Sequence, residues 1–183
     1  MRTIYAIVLL LLLVPASSAT GDQTDSRLEE LFAQLKTIGD PGTARALEIT
    51  IWQIWIESDD QAVELLMEDG MAAMSRRDYQ RALGKFDQIV RIAPEFAEGW
   101  NKRATVHYLV GNYGESLSDI EKTLALEPRH FGALSGRGLV YVALEEEELA
   151  LESFEAALEV HPLLPGARFN AAALRKRLED REI

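Results

Sequence analysis

The sequence predicts an all-α protein, built as a solenoid of stacked antiparallel helical hairpins with a C-terminal capping helix. Prolines recur at an interval of 34 residues, at Pro94, Pro128 and Pro162. Between them, apolar residues follow the spacing of amphipathic helices, in two runs per interval that are separated by a short turn. The chain has no cysteine, so helix packing without disulfides must stabilise the fold.

The first 19 residues are predicted to be a signal peptide. Arg2 precedes an apolar run over residues 4–14, and the small residues Ser17 and Ala19 fit a cleavage site. The run is shorter than the roughly 20 residues that span a bilayer. We therefore expect a periplasmic or otherwise exported protein with no membrane insertion after signal cleavage. An uncleaved N-terminal anchor is the alternative.

A flexible mature N-terminus is expected over residues 20–27, followed by a helical hairpin over residues 28–62. Its two helical patterns, "RLEELFAQLKTIG" and "TARALEITIWQIWI", are separated by the breaker "GDPG". The second pattern is apolar nearly all round, so we expect it to be buried on more than one side and docked on the first repeat. This hairpin is a degenerate repeat, because Glu48 stands where a small residue is expected.

Three complete repeats are predicted over residues 63–96, 97–130 and 131–164. Each contains a helical pattern, a turn ("RRDY", "VGNY" or "LEEE"), a second helical pattern and the proline that ends it. In each second helix a small residue precedes a large apolar one by four positions, as in Ala82 and Phe86, Ser116 and Ile120, and Ala150 and Phe154. Residues 165–183 are expected to form a polar helix that caps the last repeat.

This pattern resembles that of the tetratricopeptide repeat (TPR) family, here in a small exported bacterial form. The family has a period of 34 residues, and its large, small and proline positions match in all three units. The matching first-helix residues are Leu66, Trp100 and Leu134 at the large position, and Gly70, Ala104 and Gly138 at the small one. The resemblance implies a concave surface, lined by the first helix of each repeat, that binds a protein or peptide partner.

No catalytic, metal-binding or cofactor-binding constellation is recognisable. The stretch "EPRHFGALSGRG" at residues 127–138 is a repeat junction, in which no acidic partner or second histidine stands in register near His130. His107, His130 and His161 lie at different places in their repeats and do not converge as zinc ligands would. The glutamates at 145–148 replace a hairpin turn, so we expect a solvated turn and not a calcium loop. We expect a non-enzyme without cofactor or metal.

The net charge of −11, or −12 without the leader and its Arg2, argues against a nucleic-acid partner. Contacts to phosphates need clustered Lys and Arg side chains.

The inward faces of the first helices form the predicted groove. TPR domains that bind acidic C-terminal peptides use a carboxylate clamp of Lys, Asn and Arg. The corresponding positions hold Met67, Met71, Lys102, Gly132 and Gly136, so the clamp is absent. We expect the groove to accept an apolar helix or extended segment. Its predicted residues are Met67, Met71, Met74, Asn101, Thr105, Tyr108, Leu109, Leu139, Val142 and Phe169.

Two functions follow from these predictions. The first is an exported scaffold or adaptor that binds its partner in this groove. The second is a structural or assembly subunit of a larger envelope complex, which makes its contacts through the Trp-rich N-terminal hairpin. A groove covered by neighbouring repeats or by the chain's own N-terminal segment is a further alternative. The oligomeric state stays open.

Overall fold

The computed structural model describes residues 22–181, and every regular element in this part of the chain is an α-helix. The predicted signal peptide, residues 1–19, lies outside the described residues. The first hairpin consists of α1 (Arg27–Thr37) and α2 (Pro41–Ile56). The repeated hairpins are α3 (Gln61–Ser75) with α4 (Tyr79–Ile92), α5 (Ala97–Leu109) with α6 (Tyr113–Leu126), and α7 (Phe131–Ala143) with α8 (Glu147–Val160). The last helix is α9 (Pro165–Arg181). The predicted all-α solenoid is confirmed.

The three repeated hairpins turn with the same backbone geometry, although their turn sequences differ. One residue in each turn is left-handed: Arg77, Gly111 and Glu145 have φ values of 60°, 81° and 62°. Left-handed geometry costs a non-glycine residue about 1–2 kcal/mol. Two of the three turns nevertheless place a long polar residue there, so the packing of the helices imposes the turn.

Close contact between paired helices explains the small residues of the repeat. A Cβ atom added at Gly70 would lie 2.5 Å from the Phe86 ring, and one at Gly138 would lie 2.8 Å from the Phe154 ring. In the middle repeat the Ser116 hydroxyl donates a hydrogen bond of 2.9 Å to the carbonyl of Ala104. Side chains larger than these would force the helices apart, because protein interiors leave little free volume.

The N-terminal hairpin packs in a different place from the one predicted. The sequence predicts docking on the first repeat, and Ile56 at the end of α2 does pack against the core of that repeat. The apolar core of the hairpin, however, is completed by Phe131 at the start of α7, with Leu163 and Leu164 packed against it. The segment before α1 extends the contact, because the Gln23 side chain bonds to Glu95 O at 2.6 Å and accepts from the backbone N–H of Ala97 at 3.1 Å. The hairpin therefore lies along the loops that join successive units.

The composition of α2 explains this placement. Ile51, Ile54 and Trp55 are fully buried, as expected for a helix that is apolar nearly all round. One hairpin partner, α1, can cover only one side of such a helix. The other side is covered by the loop and helix start at His130 and Phe131, whose rings contact Trp55.

The last helix covers the end of the array through both apolar and ionic contacts. Ala167, Ala171 and Leu174 are buried in one core cluster with α8. At the charged end of α9, Arg181 lies 2.7 Å from a carboxylate oxygen of Glu147, and Arg177 lies 3.1 Å from the other. The glutamate run at 145–148 is thus more than the solvated turn expected, because Glu147 is largely buried and anchors α9.

Candidate functional site

A cavity of about 240 Å³ opens on the concave face, between α2, α5 and α7. Asn101 and Ser135 occupy equivalent positions one repeat apart in its wall, and so do Thr105 and Leu139. The register of the repeats therefore places one face of each first helix toward the same space. The remaining lining is mostly apolar or small: Trp52, Ala104, Tyr108, Ser116, Ile120, Phe131, Gly132, Ala133, Gly136, Leu164 and Gly166, with Glu48 as the acidic exception.

One end of the cavity is closed by the N-terminal hairpin. The Trp52 ring lies over Gly132, where an added Cβ would be 2.5 Å from it. The ammonium group of Lys102 lies 5.0 Å from the centre of the same ring, within the range of a cation–π contact. The chain's own hairpin thus covers part of the groove, and the cavity is the part that it leaves open.

Beside Trp52, a buried polar cluster holds the hairpin to the repeats. Glu98 Oε2 accepts from Asn101 at 2.9 Å and lies 3.0 Å from His130 Nε2, while its Oε1 lies 2.7 Å from Lys102 Nζ. His130 Nδ1 accepts the backbone N–H of Ala133 at 3.0 Å, so Nε2 carries the proton that is donated to Glu98. The His130 ring stacks on Trp55 with centroids 4.0 Å apart.

This cluster corrects the expectation that His130 has no acidic partner. Glu98 is 32 residues away in sequence, two short of the repeat interval, so the repeat register does not indicate the pair. Burial raises the pKa of Glu98, but the charge of Lys102 and the hydrogen bond from His130 outweigh it and leave the pKa below its ordinary value. The carboxylate is therefore ionised at neutral pH, with two hydrogen-bonding contacts at Oε2 and an ion pair with Lys102 at Oε1. The arrangement is a structural anchor without a free nucleophile or base.

A second histidine–glutamate pair borders the cavity and is incomplete. Glu48 Oε1 accepts from Arg45 at 2.6 Å, whereas Glu48 Oε2 lies 3.6 Å from His161 Nε2, too far for a hydrogen bond. Neither ring nitrogen of the buried His161 has a hydrogen-bond partner among the described residues. Burial lowers the pKa of His161, and Arg45 adds to this, while Glu48 opposes it.

The ten predicted groove residues fall into three groups. Four of them line the cavity: Asn101, Thr105, Tyr108 and Leu139. The three methionines belong to the core of the first repeat, where Met67 is buried and Met71 and Met74 are partly buried. Met67 and Met71 also line a separate depression of about 200 Å³ beside Ile56. The remaining three, Leu109, Val142 and Phe169, are exposed and do not line the cavity.

Phe169 is the most exposed large apolar side chain among the described residues, at 75%. It stands 34 residues after Ser135 and 68 after Asn101, so it continues the same face onto α9. The concave surface therefore extends past the cavity to an exposed aromatic ring.

Several cavity residues were not predicted as groove residues, and two left a signal in the sequence. Glu48 is a charged residue at a small position of a strongly apolar helix, which is unusual unless the carboxylate has a role. Ser135 follows Asn101 by one repeat, so the register alone places it on the wall. Trp52 left no such signal, because its position depends on where the hairpin docks.

In the described part of the chain, no group of three or more His, Cys, Asp or Glu side chains is arranged to hold a metal ion. Within residues 22–181, no helix has the length and apolar composition needed to cross a bilayer.

Comparison with known proteins identifies the repeat. The tetratricopeptide repeat model matches residues 67–122 and 101–168. A TPR repeat-containing protein of Rhizobium etli is 38% identical over 136 residues, which cover 74% of this chain and 67% of the relative. The small glutamine-rich tetratricopeptide repeat-containing protein 2 of Saccharomyces cerevisiae is 28% identical over 64% of this chain, and the match spans only 34% of that protein.

The first TPR domain of Spaghetti (RPAP3), solved bound to the HSP90 peptide SRMEEVD, superposes with a TM-score of 0.63. It is 23% identical, and the match covers 66% of this chain and 96% of that domain. At this identity the likeness shows a shared fold.

Proposed function

This chain belongs to the tetratricopeptide repeat family, and from that premise we propose that it is a non-catalytic scaffold. It binds an apolar segment of a partner protein on its concave face, in the groove between α2, α5 and α7. The observation that carries the proposal is the open, mostly apolar cavity whose wall repeats from α5 to α7 and whose face continues to the exposed Phe169. A concave, largely apolar site with a few polar groups is typical of ligand binding.

The related Spaghetti domain, bound to an HSP90 peptide, supports a peptide as the class of ligand. A peptide with an acidic C-terminus of that kind does not suit this groove. Of the five clamp positions, only Lys102 carries a cation, and that cation is paired with Glu98 and lies over Trp52. An incoming carboxylate would have to break both contacts, so the groove favours a segment without a terminal acidic cluster.

The hairpin is the less suitable contact surface for an assembly subunit. Trp55 and the isoleucines Ile51 and Ile54 are already buried against the chain itself. Of the large apolar residues of α2, Ile49 is the most exposed, at 44%. An isolated exposed apolar residue is normal on a monomer. We therefore favour the groove, and light scattering after size exclusion is expected to show a monomer at all concentrations tested.

The leader predicted over residues 1–19 supports an exported location for this scaffold. Its partner would then be another exported protein or the periplasmic part of a membrane protein. Mass spectrometry of the mature protein is expected to find Thr20 as the first residue, and an intact N-terminus would contradict export by cleavage.

Site-specific photocrosslinking tests the groove. A photoreactive phenylalanine analogue replaces Leu139 in the cavity, Phe169 on the adjoining face, or Leu65 as the control. Leu65 is 58% exposed and apolar but does not line the cavity. Crosslinks to one discrete partner are expected from the first two positions and not from Leu65. Equal crosslinking at all three positions, or at Leu65 alone, would remove the groove as the binding site.

The double substitution Tyr108→Glu and Leu139→Glu is the matching loss-of-binding experiment. Both side chains line the open cavity, so the helices should keep their circular dichroism signal while partner binding falls by at least about tenfold. The control is Leu65→Glu, which should bind normally. Undiminished binding by the folded double variant would contradict the proposal.

A further inference from the structure

The cavity wall contains an incompletely paired carboxylate in an otherwise apolar setting. Glu48 is more than nine-tenths buried, and its Oε1 is occupied by Arg45. No donor among the described residues reaches Oε2 within hydrogen-bond distance, and His161 Nε2 lies 3.6 Å from it. In the open groove, solvent can reach the wall of the cavity and hydrate such an oxygen.

A bound segment would change this balance. An apolar segment that fills the cavity displaces solvent from the wall, and a carboxylate oxygen left without a donor is costly to bury. We infer that the partner segment of the proposed function carries one cationic side chain, Lys or Arg, that pairs with Glu48 while its apolar neighbours fill the cavity. This inference rests on the proposed function and specifies the chemistry that the groove selects.

The groups around Glu48 favour a cation from outside the chain. None of the described residues that line the cavity is a Lys, Arg or His. Burial lowers the pKa of His161, so its ring is neutral at pH 7 and does not supply a countercharge. Arg45 reaches Oε1 from a largely exposed position and is not part of the lining.

Aromatic rings add to the preference for a cation. Trp52, Tyr108 and Phe131 line the cavity, and such rings attract ammonium and guanidinium groups. The Trp52 ring already has the Lys102 ammonium group 5.0 Å from its centre. The net charge of −11 also favours the approach of a basic segment. The groove therefore favours a cationic segment, whereas a carboxylate clamp favours an anionic one.

Three synthetic peptides test the inference by fluorescence anisotropy with the purified protein. They share one leucine- and serine-containing background, are blocked at both ends, and differ only at the central residue, which is Lys, norleucine or Glu. The wild-type protein is expected to bind the Lys peptide about tenfold more tightly than the norleucine peptide, because hydrogen bonds between charged groups are the stronger class. The Glu peptide should bind most weakly. Added salt should reduce the Lys preference.

The matched variant is Glu48→Gln, which keeps the side-chain size and removes the charge. Its melting temperature and circular dichroism are checked first, and Glu48→Ala serves as the second variant if the glutamine variant is unstable. For each variant, the affinities for the Lys and norleucine peptides are expected to differ by no more than about twofold. The affinity for the norleucine peptide should stay close to that of the wild type. A wild-type protein without Lys preference, or a Glu48→Gln variant that keeps it, would overturn the inference.

The two proposals fail in different ways. If Leu139→Glu abolishes peptide binding while the three peptides bind the wild type equally, the groove stands and the role of Glu48 does not. If none of the peptides binds the wild type and photocrosslinking at Leu139 matches that at Leu65, the groove itself is wrong and the inference falls with it.

Discussion

Two histidine–glutamate pairs lie between the N-terminal hairpin and the repeats, and they differ in completeness. In the first pair, His130 Nε2 lies 3.0 Å from Glu98 Oε2, and the other ring nitrogen caps the start of α7. In the second, His161 and Glu48 approach only to 3.6 Å and form no hydrogen bond. Both histidines are almost completely buried, so burial alone does not explain the difference.

The difference corresponds to the surroundings of the two pairs. The complete pair lies beneath Trp55, where the hairpin is closed onto the repeats. The incomplete pair includes Glu48, which lines the open cavity. A satisfied buried network stabilises one arrangement, whereas an unpaired buried polar group costs free energy. The comparison teaches that the same two residue types can form a hydrogen-bonded pair in one place and remain unpaired with each other in another.

Replacing the glutamate of each pair should give the largest difference in stability between the two pairs. Glu98→Ala leaves the buried N–H of His130 and the Asn101 amide without their acceptor, and breaking a buried pair in this way costs about 3–5 kcal/mol. Glu48→Ala should cost about 1 kcal/mol or less, because Arg45 is exposed and its pairing contributes little. Urea unfolding followed by circular dichroism measures both. Equal losses would show that the second pair is also structural.

Replacing the histidine of each pair should give the next largest difference in stability. His130→Phe removes the donor to Glu98 and the cap on Ala133, so we expect a loss of about 2–3 kcal/mol. His161→Phe should be neutral or stabilise by up to about 1 kcal/mol, because it removes two ring nitrogens that have no hydrogen-bond partner within residues 22–181. The control for overpacking is His161→Leu. A large loss in both His161 variants would indicate a partner for that ring.

The repeat pattern predicted the array well, because its spacing reflects local geometry. Gly70 and Gly138 are small where Phe86 and Phe154 approach, and that contact recurs with the period. The position of the hairpin could not be predicted in this way, since α2 is apolar nearly all round and its composition does not select one partner. The Glu98–His130 pair was missed for a related reason, because it links residues out of register.

The groove was predictable in part. Asn101, Thr105, Tyr108 and Leu139 follow from the inward face of α5 and α7. The methionines of α3 have the same register, but they pack into the core of the first repeat. The unusual Glu48 was visible in the sequence as a departure from the repeat pattern. Its place on the cavity wall depends on the tertiary position of α2.

Two glycines of α7 sharpen the contrast between the closed and open ends. Gly136→Ala should stabilise by about 0.5–1 kcal/mol, because alanine favours the helix and, in the described part of the chain, the nearest side-chain atom to the added Cβ belongs to Ile120 at 3.9 Å. Gly132→Ala should be less stable than Gly136→Ala by about 1–2 kcal/mol, because its Cβ would overlap the Trp52 ring. Thermal melting compares them. Equal stability would show that Trp52 moves freely and that the closed end is loosely held.

The smallest expected effect is the pH dependence contributed by the incomplete pair. The pKa of His161 is lowered on folding, so the folded protein binds this proton less readily than the unfolded chain does. The stability that results is fully present above the unfolded pKa of about 6.5 and is lost as the pH falls through the folded pKa. Arg45 strengthens the effect, Glu48 opposes it, and the Phe131 ring lies edge-on to the imidazole.

The lowered pKa of Glu98 also makes stability fall as the pH is lowered, but at lower pH. That contribution is lost only below the ordinary glutamate pKa of about 4.3. Urea midpoints of the wild type should therefore decrease from pH 7 to pH 5, and those of His161→Phe should decrease less. Parallel decreases in the two proteins would assign the pH dependence to other groups and remove the distinction between the pairs on which this prediction rests.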